Sequence, residues 1–429
     1  MLKRIALLFL TTVCAAAASA QTRLTLDEAL RRALEVNNTI GRARQEIDVA
    51  EANRSFLLSA VMPRIELSGD LTRNSIEQTF GEGDDGVTIL PRNDWAYRVT
   101  LSQPVYAGRR ELRAYSQAKI GIENARESTR ATEDGTLLRV ASNFLAVVNA
   151  DRRVDVERQN IELAQRRLTQ AQAFYEAGEV TRVDVLRAET AMKAAQRLLA
   201  SANQQREHAV AQLRTDLALD GTVEVAAPEH DLPALPSESE LIARATGSRP
   251  DVDIAENNVR IAELEVQKQR GFWLPTVRFD GGWIQQKSPF PASGYSYGAF
   301  RLNVPIFQAG EVQARVAGAR SREKQAELEL EETKLVARED VRRALADLRS
   351  AEIGLQLATE QLEAAQAEYE QAFELYRAQE ATSLDLASSE TSLADARRAV
   401  AEETRNRDLA ELRVWHAAGA IKEATGVTK

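Results

Sequence analysis

The sequence predicts a mainly α-helical chain with a small β part, written twice and completed only by further copies of itself. Three observations predict this: long stretches rich in alanine and leucine with a seven-residue period, four short segments of two-residue alternation, and an offset of 201 residues that lays the second half over the first. Charged residues make up 28% of the chain and aromatics only 5%. Such a composition suits long helices and coiled coils better than a compact globular core.

Residues 1–20 read as a signal peptide. Lys3 and Arg4 give a basic start, Ile5–Val13 is an apolar run too short to span a bilayer, and Ala18-Ser19-Ala20 fits an A-x-A cleavage site. The mature chain is expected to begin at Gln21 and to be exported. Cys14, the only cysteine, falls in this segment, so the mature chain has no thiol or disulfide chemistry. Val13 is larger than the residue that normally precedes a lipidated cysteine. Net charge is −9, or −11 once Lys3 and Arg4 are gone, which argues against nucleic acid as a partner. No run of eighteen apolar residues occurs, so no transmembrane helix is expected and any membrane crossing falls to strands.

The duplication rests on three blocks in the same order. Tyr175–Thr190 lies over Tyr376–Thr391, with Tyr, Ala, Glu, Thr, Asp, Glu and Thr in register. Gln103-Pro-Val-Tyr-Ala-Gly108 lies over Val304-Pro-Ile-Phe-Gln-Ala-Gly310, with one residue inserted. Leu-Ser-Ala-Val-Met-Pro63 is matched by Gly-Phe-Trp-Leu-Pro275. The expected organisation is a first repeat over 21–219, a linker over 220–236 with Pro228, Pro233 and Pro236, a second repeat over 237–418 and a tail over 419–429. Each repeat opens with one helix, Leu26–Val61 or Glu238–Phe272. Two strands follow, then a very long helix, a tight turn and a returning helix ending near Leu219 or Ala418.

The long helices carry a heptad. Val341, Leu348, Leu355, Leu362, Tyr369 and Tyr376 recur every seven residues, with Ala344, Ala351, Ala358, Ala365 and Ala372 three places on. In the first half Val140, Val147, Val154, Ile161, Leu168 and Tyr175 form the same track, and Ala150, Ala164 and Ala171 fill part of the second. A sustained seven-residue seam faces its neighbour only through left-handed supercoiling. Leu145, Val148 and Val156 widen the stripe, as expected of a helix touched on two sides, a stave of a tube rather than half of a simple coiled coil. The stretch from Gly108 to Gly178 would reach ~105 Å as one helix.

The strands alternate. Ile65, Leu67 and Leu71 are interleaved with Glu66, Ser68, Asp70 and Thr72, and Trp95, Tyr97, Val99 and Leu101 share one face of the next strand. Val277, Phe279 and Trp283, then Phe300, Leu302 and Val304, repeat this in the second half. Period-two alternation with aromatics suits a strand with lipid on one side and water on the other, and also a half-buried strand of a soluble sheet. Four strands cannot close a barrel, and open edges are not tolerated in lipid. Three copies would give twelve strands and an aqueous lumen, whereas two would give eight, largely filled by side chains. The loop Ser75–Asp94, containing Gly81-Glu-Gly-Asp-Asp-Gly86, lacks the spacing of a calcium or phosphate loop and reads as a polar hairpin loop, and Ser288–Gly294 reads as a turn.

These segments together resemble the TolC-like outer-membrane efflux proteins over the whole mature chain. Leu24–Asn38 is similar to that family's first helix, Gln103–Gly108 and Val304–Gly310 to its strand-to-long-helix junctions, and Tyr175–Thr190 and Tyr376–Thr391 to its two periplasmic tips. The resemblance implies a homotrimer, with a twelve-strand β-barrel in the outer membrane continued by a twelve-helix periplasmic α-barrel. It implies a passive exit duct of a tripartite efflux or type I secretion system, lodged in outer-membrane lipid and served by a periplasmic adaptor and an inner-membrane pump of the RND or ABC type. It assigns adaptor contact to the tips, Gly178, Glu179, Val180 and Thr181 with Gln379, Glu380, Ala381 and Thr382. It assigns the tunnel gate to Asp184, Tyr376 and Asp385, and membrane strands to the segments bearing Trp95, Tyr97, Phe279, Trp283 and Phe300. Where the first tip has Gly178 the second has Gln379, which leaves its turn geometry open. Arg187 and Ser388 stand where relatives carry a further acid, so an acidic ring would rest on Asp385. Helix capping explains Asp184 and Asp385 equally well, and Thr181-x-x-Asp184 has the spacing of a capping box.

No catalytic residue, cofactor site or metal site is expected. His208, His230 and His416 lack metal-ligand spacing and read as surface residues, and no nucleotide or nucleophile motif occurs. The competing assignment is a soluble periplasmic coiled-coil scaffold or an adaptor protein.

Overall fold

The structure is a computed structural model that describes residues 23–81, 86–221, 223–226, 232–289 and 291–427. The proposed signal peptide with Cys14, His230 and parts of the polar loop and of the linker lie outside the described residues.

The chain opens with α1 (Leu26–Val36) and α2 (Asn38–Ser59), where one helix was expected. Thr25 and Glu28 close a capping box at the start of α1. Asn37 breaks the run. Its backbone is extended at ψ 121, its N–H still donates to Ala33 O, and its side chain accepts from Thr39 N at 2.9 Å. One residue therefore ends one helix and caps the next. The second half breaks in the same place by other means: α5 (Glu238–Ser248) and α6 (Pro250–Arg270) flank an extended Arg249. Proline disfavours helical geometry in the residue before it and suits the first helical position. The Arg249 guanidinium then binds Asp251 at 2.6 Å and Asp340 at 3.1 Å, which fixes the bend.

Four antiparallel strands form one sheet in the order β1 (Arg64–Arg73), β4 (Asn93–Ala107), β5 (Thr276–Gln286), β6 (Gly294–Asn303). Its centre joins the two halves of the chain, and β1 and β6 are its open edges. β4 is longer than the expected segment because Pro104 sits at a register shift and Tyr106 and Ala107 go on pairing with Val277 and Thr276. The polar loop holds a small hairpin of its own, β2 (Gln78–Phe80) with β3 (Val87–Leu90).

Two long helices follow the strands, α3 (Arg110–Glu176) and α7 (Glu311–Arg377), of 67 residues each, or ~100 Å at 1.5 Å per residue. Each turns back as α4 (Arg182–Leu217) or α8 (Ser383–Ala417). Near the sheet the packing order is α2, α3, α6, α7, and near the turns it is α4, α3, α8, α7. The helix α3 is therefore flanked on both sides along its length, as a stave is, while α7 has one free flank. The heptad residues Val140, Val147 and Val154 are buried, as are Val341, Ala344 and Leu348. The main core lies midway, where α1 packs Leu30 against Leu137, Val140 and Phe144 of α3 and Leu213 of α4. A second copy of it joins Leu241 of α5, Val341 of α7 and Val414 of α8. The chain then turns into the short α9 (Ile421–Ala424), whose Ile421 joins the first core. Among the described residues no helix is long and apolar enough to cross a membrane.

Candidate functional site

The sheet has two chemically distinct faces. Residues paired directly across antiparallel strands point to the same side. Leu71 lies opposite Trp95, Leu67 opposite Val99, Val99 opposite Trp283, and Phe279 opposite Phe300. This apolar face is open: Leu71 is 87% and Phe300 73% exposed, and Tyr97 and Trp283 are exposed as well. The Trp95 and Tyr97 rings stand 5.4 Å apart, and those of Phe279 and Phe300 5.1 Å. The opposite face is polar. Asp70 pairs with Arg98, Asp280 takes Arg278 at 3.2 Å and Arg301 at 3.0 Å, and the Ser102 hydroxyl donates to Asp280 at 3.0 Å. All five aromatic positions assigned to membrane strands from the sequence lie on the apolar face.

Where sheet meets helices, Gly108 and Gly271 touch through their backbones. A Cβ on Gly108, whose φ is +66, would lie 2.2 Å from Gly271 O, and one on Gly271 would lie 2.5 Å from Gly108 O. The adjoining Phe272 ring is held between Arg110 and Arg315, whose guanidinium carbons stand 4.4 and 4.7 Å from its centroid.

The two tips sit side by side at the far end of the long helices. Gly178 has φ +79 and Gln379 has φ +63, so both turns share one left-handed geometry. The turn left open by the sequence is thus the same as the first. A non-glycine residue there costs about 1–2 kcal/mol, and the Gln379 amide makes a compensating bond to Glu179 at 2.5 Å. Thr181 N and Oγ1 donate to Asp184 at 3.1 and 2.8 Å, and Thr382 N and Oγ1 donate to Asp385 at 2.9 and 2.6 Å. Both aspartates therefore complete capping boxes, with Thr181 and Thr382 as the N-cap residues. Asp184 also accepts from Ser383 Oγ, which crosses between tips, whereas the exposed Asp385 bonds to Thr382 of its own tip. Hydrogen bonds from Thr181 and Ser383 hold Asp184 below the usual carboxylate range, and those from Thr382 do the same for Asp385. Tyr376 is only 4% exposed, packed 5.7 Å from the Phe174 ring, and burial raises its phenol. Its ring faces the chain's own interior, not open space.

Two ion pairs between α3 and α8 escaped the sequence reading. Arg167 and Glu390, with 6% and 14% of their side chains exposed, lie 3.1 Å apart, and Arg167 also donates to Ser383 O at 3.0 Å. Glu157 binds Arg398 at 2.7 Å. A signal existed for the second: the alanine track Ala150, Ala164, Ala171 skips one heptad position, and that position is Glu157. His416 also departs from expectation. It is half-buried near Asp134, Asp251 and Asp340, and burial holds its imidazole below the usual range, whereas His208 is exposed.

A sheet with an open apolar face over a charged one, continued by staves of this length, suits a membrane protein whose strands meet lipid and whose helices extend away from the bilayer. The chain belongs to the outer membrane efflux protein family, whose profile matches residues 29–218 and 241–420. It is 26% identical over 337 residues to protein CyaE of Bordetella pertussis, covering 76% of this chain and 70% of that one. It is 22% identical over 377 residues to the outer membrane efflux protein BepC of Brucella suis, covering 86% and 79%. Among solved structures its fold matches CusC with a TM-score of 0.79 at 19% identity, over 93% of each chain. The protein is thus a TolC-like outer-membrane transport protein that extends into the periplasm.

Proposed function

We propose that three copies of this chain close a twelve-strand barrel in the outer membrane and a twelve-helix tunnel beneath it, forming a passive exit duct. A periplasmic adaptor would dock on the tips at Gly178–Thr181 and Gln379–Thr382, and an inner-membrane pump of the RND or ABC type would supply the energy. The observation that carries this reading is the four-stranded sheet with an exposed apolar face, a charged face and two open edges. In lipid such edges must pair, and eight strands would leave too little lumen while twelve leave an aqueous one. The names of relatives such as BepC support export of compounds from the cell. A soluble periplasmic scaffold would gain nothing from exposing Leu71, Trp283 and Phe300 together.

The gate assignment narrows to Asp385, because Asp184 is bound across the tips and Tyr376 is packed inside the chain. The test is conductance of the purified protein in planar bilayers. Ion-conducting insertions are expected, with block by multivalent cations that weakens in Asp385→Ala. Protein that inserts without conducting contradicts the duct, and an unchanged block removes Asp385 from the gate.

A further inference from the structure

The internal repeat specifies what covers the two open edges of the sheet. Within each half the two strands pair in the same register. Ile65 opposite Leu101, Leu67 opposite Val99 and Leu71 opposite Trp95 in β1 and β4 become Val277 opposite Leu302, Phe279 opposite Phe300 and Trp283 opposite Ser296 in β5 and β6. Residues of β1 therefore correspond one by one to β5, and those of β4 to β6. The sheet contains one further joint, β4 of the first half with β5 of the second, in which Val99 faces Trp283, Thr100 faces Gly282, Leu101 faces Gly281 and Gln103 faces Phe279.

Carrying this joint forward by one repeat replaces β4 with β6 and β5 with the β1 of another copy. We propose that β6 pairs antiparallel with β1 of a neighbouring copy of this chain, with Phe300 opposite Leu71, Arg301 opposite Asp70, Leu302 opposite Gly69 and Val304 opposite Leu67. The proposal rests on the ring of copies set out above and adds the register that joins them.

Three further observations support that register. Arg301 and Asp70 carry opposite charges, both are half or more exposed, and directly opposed unlike charges stabilise a strand pair. Phe300, Leu302 and Val304 meet Leu71, Gly69 and Leu67, so the apolar face continues across the joint. A slip of one residue would set Arg301 against Leu71 or Gly69 and invert both faces. Finally, the first-half segment Gln103–Ala107 is strand, paired with β5, whereas its second-half counterpart Val304–Phe307 is not strand and pairs with no strand among the described residues. There Ile306 is 95% and Phe307 87% exposed. The proposed register sets Phe307 opposite Ile65 of the next copy, as Tyr106 stands opposite Val277.

Disulfide trapping in the full chain tests this, with Cys14, the only native cysteine, replaced by alanine. Opposed Cα atoms in a strand pair fall within disulfide reach, whereas a residue four places along the strand is ~13 Å away. Phe300→Cys combined with Leu71→Cys is expected to give chain-to-chain cross-links on oxidation, and Phe300→Cys with Leu67→Cys none. The single-cysteine variants should form the same detergent-resistant assembly as the parent, which shows that they fold. Cross-linking through Leu67→Cys instead, or none through Leu71→Cys within an intact assembly, overturns the register while leaving the ring in place. Outer-membrane protein that stays monomeric removes the ring and the register together.

Discussion

The Ser383 hydroxyl donates to Asp184 Oδ1 at 2.8 Å, binding the first residue of α8 to the first turn of α4. With the Gln379–Glu179 bond it ties the two tips of one chain together. The nearby Arg167–Glu390 pair fastens α3 to α8 just behind them. Each chain thus presents its two tips as one unit, and any opening between tips is expected at joints between chains.

Ser383→Ala should loosen this unit by about 1 kcal/mol, the usual net value of one hydrogen bond. Asp184→Ala should loosen it further, since it removes the acceptor of the Ser383 bond and of both bonds from Thr181, the N-cap of α4. Hydrogen exchange of the backbone amides across Gly178–Asp184 should quicken in both. The pKa of Asp184 is lowered in the folded chain, so its stabilisation is complete above its ordinary value of 3.8 and disappears as pH falls through the folded value. The wild-type tips should therefore loosen only in strong acid, and exchange unaffected by Ser383→Ala would show that the tips are joined by other means.

Arg167→Ala should be far more damaging, at about 3–5 kcal/mol, because it strands a buried carboxylate. Burial already raises the pKa of Glu390, with Arg167 acting against it. Without Arg167 that pKa climbs further, and the variant should regain stability as pH falls and Glu390 takes up a proton. Arg167→Met with Glu390→Leu should melt close to wild type. A single variant that melts normally at neutral pH would mean that the pair contributes nothing.

Gly108→Ala should abolish accumulation of assembled protein, because its Cβ would occupy the place of Gly271 O at 2.2 Å. Gly178→Asn should be tolerated, since its turn has the same left-handed geometry, no atom lies within 4 Å of a Cβ there, and the equivalent Gln379 already carries a side chain. Immunoblots of membrane fractions separate the two. Equal levels would show that the strand-to-helix junction can yield.

Trp283→Arg should block insertion, at a cost of about 2–4 kcal/mol near the bilayer midplane, whereas Thr100→Arg on the polar face should be accepted. Heat-modifiable migration on gels reports folded insertion for each. The reverse ranking would mean that the faces are assigned the wrong way round.

Much of the architecture was legible because periodicity survives without an alignment. Seven-residue tracks of Val and Leu gave the long helices, and alternation around Trp95 and Phe279 gave the strands. The breaks were harder to read. Asn37 and Arg249-Pro250 interrupt helices with signals of one or two residues inside otherwise periodic runs. The expected alternation stopped short of Pro104 because the β5 partner that carries β4 past it is remote in sequence. At the tips, spacing offered a capping box at Thr181 and Asp184 beside the gate reading, but the bond from Ser383 to Asp184 joins residues 199 apart. The buried position of Tyr376 could not be read either, since a heptad residue at a helix end can face a partner helix or a lumen.

The central claim is that the apolar face of the sheet meets lipid in an assembly of several copies. Sucrose-gradient fractionation of cell membranes, followed by gel migration with and without heating, tests it most directly. The structure predicts outer-membrane density and a trimer band that collapses to monomer only on boiling. Recovery as a monodisperse soluble periplasmic monomer would contradict it.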